Sequence, residues 1–314
     1  MNNAKNYRDI GTIPSWRKKL LQIAGHLFMR NERSEDWGSC QNHDCLIPGD
    51  GYPRDLSLVM EDMWDDYLSS LAGFSRTTVY ERGCDDPNDP LDCYNTVYCP
   101  IAMNGYCINN PTYNLNKYRT EYLLDHSYSS NAFGTVIALY HGDFNGLYRK
   151  IWTTDTDNDH IPEGYPCGPS GDQDEFDSYS SSQRRFMDNA FADNDWSHSE
   201  RYVIFLGGCH NGNPFYTDNL AYSFIHDRAI GSIAATGTSN TCGSLQAFDP
   251  DQYCMEQIAY RWEKGISYSE YTNAQALYEA VKPGWNDNQN HPVPYAMTLE
   301  MNFWGDPWVR LMGN

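Results

Sequence analysis

Short apolar runs that do not alternate with polar residues most constrain how this chain can fold. They occupy residues 20–28 (LLQIAGHLF), 134–141 (GTVIALYH), 201–209 (RYVIFLGGC) and 231–238 (GSIAATGT). Because successive side chains of a strand point to opposite faces, an unbroken apolar run predicts a strand buried on both faces. Such strands are typical of parallel sheets. Residues 76–81 (RTTVYE), rich in β-branched side chains, predict a further strand.

Amphipathic segments lie between these strands. In residues 54–72, Leu56, Met60, Trp64 and Leu68 stand at helical spacing. Further helices are predicted over 114–126, 183–192, 217–229 (with Thr217 as its N-cap) and roughly 250–280. Strands that alternate with helices predict an α/β fold, a three-layer sandwich in which helices cover both faces of a mostly parallel central sheet.

The charge of the chain excludes several classes of partner. The formal net charge is −20, so the surface repels nucleic-acid phosphates and anionic membranes but accommodates Ca²⁺ and basic peptides. The sequence has no run of eighteen apolar residues, so no membrane span is expected. A protein or peptide partner fits this composition better than a nucleic acid or a lipid surface.

The cysteines indicate an oxidising compartment. Six of the ten lie between residues 40 and 107, in turn-rich sequence that gains from cross-links. We therefore predict disulfides, with no pairing assigned, and a secreted, extracellular or periplasmic location. Zinc is the alternative, but no Cys-x-x-Cys pair occurs. The first twenty residues lack the apolar region of a signal peptide, so a secreted form would correspond to a mature or excised piece.

Two of the apolar strands end in reactive side chains. His141 and Gly142 follow one strand, and Gly208 and Cys209 follow the next. If these strands are parallel neighbours, both side chains emerge at the same edge of the sheet, where open α/β folds bind ligands. An imidazole there can generate the thiolate and later protonate a leaving amine, while the N–H groups of Gly142 and Cys209 can hold an oxyanion. The alternative is that both are ordinary structural residues.

Three segments resemble the gingipain family of cysteine peptidases, within the caspase-like clan CD. They are ALYHG (138–142), the stretch from FLGGCHNG to AATGTS (205–239) and NFWGDPWVRL (302–311). The resemblance implies a caspase-like α/β fold, His141 and Cys209 as the catalytic dyad, the backbone amides of Gly142 and Cys209 as the oxyanion hole, and bound calcium. The caspase Gln-Ala-Cys signature is absent, so specificity for Asp is not implied.

The resemblance covers roughly residues 130–311 and suggests how the domain is divided. We expect residues 1–130 to form the N-terminal part of the α/β domain, with a Cys-rich loop at 83–107. Residues 131–314 then form the catalytic part, with an acidic insertion at 153–180. That insertion accounts for the wide separation of His141 and Cys209 in the sequence.

The acidic insertion predicts a structural calcium site. Asp155, Asp157 and Asp159 alternate along a turn-rich segment, and Glu163 follows four residues later. Carboxylates at this spacing can direct oxygens at one centre, as Ca²⁺ requires. A solvated acidic loop is the alternative.

These observations predict a cysteine endopeptidase that hydrolyses peptide bonds through a thioester. The resemblance implies an acidic specificity pocket, and with the excess of carboxylates here it makes Arg or Lys before the scissile bond the expected preference, with no pocket residue assigned. Two alternatives stay open. One is a transpeptidase or sortase-like enzyme, in which an amine replaces water. The other is a non-catalytic, calcium-stabilised extracellular binding module.

Overall fold

A computed structural model describes nine parts of the chain. They are residues 13–28, 54–80, 132–148, 185–192, 201–227, 229–238, 254–267, 271–286 and 300–310. The strands are β1 (Lys19–Ala24), β2 (His26–Phe28), β3 (Arg54–Asp55), β4 (Ser75–Tyr80), β5 (Thr135–Leu139), β6 (His141–Asp143), β7 (Gly146–Tyr148), β8 (Arg185–Asp188), β9 (Val203–Gly207), β10 (Gly231–Ala235) and β11 (Met301–Gly305). The helices are α1 (Ser57–Met63), α2 (Asn189–Ala192), α3 (Leu220–Asp227), α4 (Met255–Ser267) and α5 (Asn273–Asn286), with a 3₁₀ turn at Ser15–Lys18 and a π-helical turn at Trp64–Leu68.

A six-stranded sheet forms the centre of the fold, in the order β11-β10-β9-β5-β1-β4. The pairings are parallel except that of β10 with β11, which is antiparallel. Two smaller antiparallel sheets join β2 to β3 and β6 to β7 and β8. The predicted mostly parallel central sheet is thus confirmed.

Both faces of the central sheet are covered, which explains the unbroken apolar runs. In β5, Ile137 and Leu139 pack on one face, whereas Val136 and Ala138 pack on the other. The first face meets α1, α4 and α5, and the fully buried Trp262 of α4 lies 5.5 Å from Phe205 of β9 between ring centroids.

The opposite face of the sheet meets α3 and the sheet formed by β6, β7 and β8. Its buried residues include Leu147 of β7, Met187 of β8 and Phe224 of α3. Apolar layers on both sides of a mainly parallel sheet make this a three-layer α/β sandwich.

One predicted helix proved wrong, and others have different limits. In the segment 183–192, residues Arg185–Asp188 form β8, and a short helix follows them. Met187 pairs with Leu147, so an apolar position that fits a helical pattern is buried through sheet pairing instead.

The helix predicted from Thr217 begins at Leu220. Its cap is Asn219, whose Oδ1 accepts a 2.9 Å hydrogen bond from the N–H of Tyr222, while Thr217 is exposed. The long helical stretch near 250–280 consists of two helices, α4 and α5. Among the described helices, none has the length and apolar character that a bilayer crossing requires.

Candidate active site

The ends of β5 and β9 lie side by side. These strands are parallel, with Leu139 paired to Gly207, and the N–H of Tyr140 donates a 3.1 Å hydrogen bond to the carbonyl of Gly207. His141 follows Leu139 by two residues, and Cys209 follows Gly207 by two. The two segments that follow these strands therefore leave the sheet in register, at the carboxyl edge where ligands bind in folds of this class.

Two glycines allow these two segments to touch just beyond the sheet. A Cβ atom on Gly142 would lie 2.8 Å from the Cα of Gly208, and one on Gly208 would lie 2.9 Å from the Cα of Gly142. Real Cβ atoms do not approach other atoms this closely, so both positions require glycine. These residues directly adjoin His141 and Cys209.

The thiol and the imidazole have suitable surroundings for chemistry. Cys209 and His141 are both half-buried. The His141 ring packs edge-on against the fully buried Tyr140, with centroids 5.9 Å apart. A half-buried pair is shielded from bulk water while a substrate can still reach it.

His210, next to the thiol, faces the neighbouring strand. It has a left-handed φ of 58°, and its N–H donates to the carbonyl of Gly237 at 2.7 Å. Its Nε2 lies 3.5 Å from the Thr238 hydroxyl. Both contacts are with residues that follow β10, so the backbone and the ring of His210 both lie against that neighbouring strand end.

Asn211, which the sequence did not single out, is fully buried beside the two strand ends. Its Nδ2 donates to the carbonyls of Asp143 and Gly146, at 2.5 and 3.0 Å. No signal in the sequence predicted this role, because the two carbonyls belong to residues 65 and 68 positions away along the chain.

Glu300 is a second residue that the sequence analysis missed. Its carbonyl accepts a 2.8 Å hydrogen bond from the N–H of Thr236, which fixes it at the same edge of the sheet. Its carboxylate packs on Gly237, and burial raises its pKa, an effect that the nearby His210 opposes. Oε2 is buried and has no hydrogen-bond partner among the described residues.

Asp306, in the Gly-Asp-Pro segment after β11, holds a local turn, because its Oδ1 accepts a 3.0 Å hydrogen bond from the N–H of Trp308. The calcium ligands predicted from the sequence, Asp155, Asp157, Asp159 and Glu163, lie outside the described residues, as does the Cys-rich loop. Elsewhere in the chain, within the nine described parts, no three His, Cys, Asp or Glu side chains cluster in a way that could hold a metal ion.

Comparison with known proteins shows likeness in structure. No protein-family model matches the chain, and no curated protein matches its sequence. The solved structure of gingipain R, an Arg-specific cysteine proteinase, superposes with a TM-score of 0.50 at 10 % identity, covering 98 % of this chain and 52 % of the other. Another solved structure, described as a protease, has a TM-score of 0.46 at 10 % identity with the same coverages. The chain thus spans about half the length of each, and it has the caspase-like α/β fold of gingipain R.

Proposed function

We propose that this protein is a cysteine peptidase in which Cys209 is the nucleophile and His141 the general base. The observation that carries the proposal is the register of β5 and β9, with Leu139 opposite Gly207, since both reactive residues follow this pair by two positions. The contact between Gly142 and Gly208 also supports it, because it brings the flanking residues close together.

The proposed reaction has two steps. His141 takes the proton of the Cys209 thiol, and the thiolate attacks the carbonyl carbon of the scissile peptide bond. The imidazolium then protonates the leaving amine, the C–N bond breaks and a thioester remains. His141 next removes a proton from water, which attacks the thioester and releases the acid and the thiol.

The negative oxygen of the tetrahedral intermediate requires donors close to Cys209. Gly142 pairs with Leu147 between the pairs His141–Tyr148 and Asp143–Gly146 of a two-residue hairpin. Alternation along an antiparallel ladder leaves the Gly142 N–H outside the cross-strand hydrogen bonds. We assign the oxyanion hole to the N–H groups of Gly142 and Cys209, each worth about 3 kcal/mol to the transition state.

A preference for Arg or Lys before the scissile bond is the finer part of the proposal. Glu300 supports it, because this carboxylate lies near the turn after Cys209 and has a buried oxygen with no hydrogen-bond partner among the described residues. A basic side chain that reached it would satisfy that oxygen and lower the pKa of the carboxyl, against the effect of burial.

The proposal also includes calcium binding and secretion, both of which rest on the sequence. The net charge of −20, the six cysteines between residues 40 and 107, and the spacing of Asp155, Asp157 and Asp159 all suit an oxidising, calcium-containing exterior. The substrate would accordingly be an extracellular protein or peptide.

Cleavage of a mixed peptide library tests the function. We expect cleavage, enriched after Arg and Lys, that Cys209→Ala and His141→Ala each abolish. Glu300→Gln should reduce cleavage after basic residues by about tenfold or more relative to uncharged ones, as loss of a buried charge contact does. Cleavage that persists in Cys209→Ala would contradict the proposal. Products joined to an added amine nucleophile would assign a transpeptidase instead.

A further inference from the structure

Asn211 contacts both chain segments that carry the proposed dyad. Its Nδ2 bonds the carbonyls of Asp143 and Gly146, which flank the turn of the β6–β7 hairpin that begins at His141. Its Oδ1 lies against the backbone of Gly142 and Gly208. One buried amide therefore lies in the junction of the hairpin with the turn that follows Cys209.

The backbone of Asn211 is itself anchored to the body of the protein. Its carbonyl accepts a 3.0 Å hydrogen bond from the N–H of Ala221 in α3, and the N–H of Gly212 donates a 2.8 Å hydrogen bond to the carbonyl of Ala235 at the end of β10. The side chain is fully buried. These backbone hydrogen bonds hold the side-chain amide of Asn211 in place against the hairpin.

We propose that Asn211 is a positioning residue, which clamps the hairpin bearing His141 against the turn bearing Cys209. This inference rests on the proposed function. Without the two hydrogen bonds, the hairpin loses its polar link to the turn, and the imidazole moves with it. A displacement of about 1 Å from reactive geometry can cost about a hundredfold in rate.

Asn219 provides a matched control. It is also buried, lies eight residues further on and also donates from Nδ2 to two carbonyls, those of Asn213 and Tyr216. Its Oδ1 accepts from Tyr222, so the side-chain bonds of Asn219 stay within its own loop and helix. Its loss should cost stability, while the hairpin keeps both bonds from Asn211 and the 2.7 Å hydrogen bond that the N–H of Leu220 donates to Phe144.

The test compares Asn211→Ala with Asn219→Ala in the full chain. One measurement is the pH dependence of Cys209 alkylation by iodoacetamide, followed by peptide mass spectrometry. The other is amide hydrogen exchange in residues 141–148. We expect Asn211→Ala to slow alkylation at pH 6 by about tenfold, because the imidazole that takes the proton from the thiol is displaced. Exchange in the hairpin should become at least about tenfold faster. Asn219→Ala should leave the alkylation rate unchanged and should speed exchange in the hairpin no more than its loss of global stability does.

The outcomes separate this inference from the proposed function. If Asn211→Ala changes neither the pH dependence of Cys209 alkylation nor the amide exchange of the hairpin, the positioning role is overturned and the proposed function is not. An ordinary Cys209 profile in the unsubstituted protein would overturn the proposed function, and with it any catalytic role for the clamp. Should Asn211→Ala not fold, Asn211→Asp keeps the volume and removes the donors, and the same results decide.

Discussion

Two single residues, Gly142 and Gly208, set the distance between the two strand ends. Each lies where a Cβ would meet backbone atoms of the other, and neither contact can be relieved by turning a flexible side chain. The space that they leave is filled by the buried amide of Asn211. Close approach of backbone therefore brings the thiol and imidazole segments together.

Substitution of Gly142 by Ala should separate these segments. The new Cβ would lie 2.8 Å from both the Cα of Gly208 and the Oδ1 of Asn211, so the hairpin must shift. We expect peptidase activity to fall by about a hundredfold. As a control, Gly265→Ala crowds Ala276 at the α4–α5 contact, with a Cβ–Cβ distance of 2.9 Å. It should lower the melting temperature and leave the activity of the folded protein intact.

Glu263 carries a buried carboxyl on α4, the helix that packs on the face of the central sheet away from the β6–β7 hairpin. It is fully buried, the Ser267 hydroxyl donates to it at 2.6 Å, and burial raises its pKa from 4.5 to about 7. Between these values the unfolded chain loses a proton that the folded protein keeps. Stability therefore falls as pH rises from about 4.5 to about 7 and then levels off, a total effect of about 3 kcal/mol.

Glu263→Gln should remove this pH dependence. The amide oxygen can still accept the hydrogen bond from Ser267, but no charge develops. Urea unfolding should show the free energy of unfolding of the variant gaining about 3 kcal/mol on the unsubstituted protein between pH 4 and pH 8. Glu279→Gln, at an exposed position, should show no such gain. A constant difference between the Glu263 variant and the unsubstituted protein would contradict the buried-carboxyl account.

Residues at strand ends were easier to predict than residues defined by tertiary contacts. His141 and Cys209 were identifiable because each is the first reactive group after a buried apolar run. Asn211 and Glu300 carry no such mark. They matter because distant backbone carbonyls and glycines lie against them, and one sequence does not reveal those contacts.

The assignment of Asn219 as the N-terminal cap of α3 can be tested by substitution. Asn219 caps this helix through Tyr222 and bonds two carbonyls, whereas Thr217 is exposed and precedes the helix by three residues. We expect Asn219→Ala to destabilise the protein by about 1–2 kcal/mol and Thr217→Ala by less than about 0.5 kcal/mol. Thermal unfolding of both variants measures this, and equal losses would contradict the assignment of the cap.

Element type followed from the sequence where periodicity was unambiguous. The strands β1, β5, β9 and β10 were predicted within a few residues, because burial on both faces leaves an unbroken apolar run. The strand β4 was predicted from its β-branched side chains. The segment of β8 was predicted as a helix, because its buried apolar position, Met187, suits either period. Pairing with β7, a non-local contact, decides the outcome.

The arrangement of the whole molecule explains why the two strand ends meet. The chain lays down β1, adds β4 on one side, and then crosses to place β5 and β9 on the other. Strands that follow one another in the sequence are usually neighbours in a sheet, so the adjacency of β5 and β9 was a reasonable expectation from the sequence.

Calcium removal tests the proposed acidic site, which lies in the sequence between the two strands. If Ca²⁺ binds Asp155, Asp157 and Asp159, excess EGTA should lower the melting temperature by several degrees, as loss of a bound ligand at about 100 times its Kd costs about 2.7 kcal/mol. Readded calcium should restore it. A variant with all three aspartates changed to Asn should melt at the lower temperature with or without EGTA. An unchanged melting temperature in the unsubstituted protein would exclude a structural calcium site.

The central claim is that the Cys209 thiol and the His141 imidazole meet closely enough to share a proton. Labelling with a peptide chloromethyl ketone, read by peptide mass spectrometry, tests it most directly. We predict selective labelling of Cys209 at pH 6, and a rate at least about a hundredfold lower in His141→Ala, because the thiolate is then lost. Equal labelling of Cys209 in both proteins would contradict the claim.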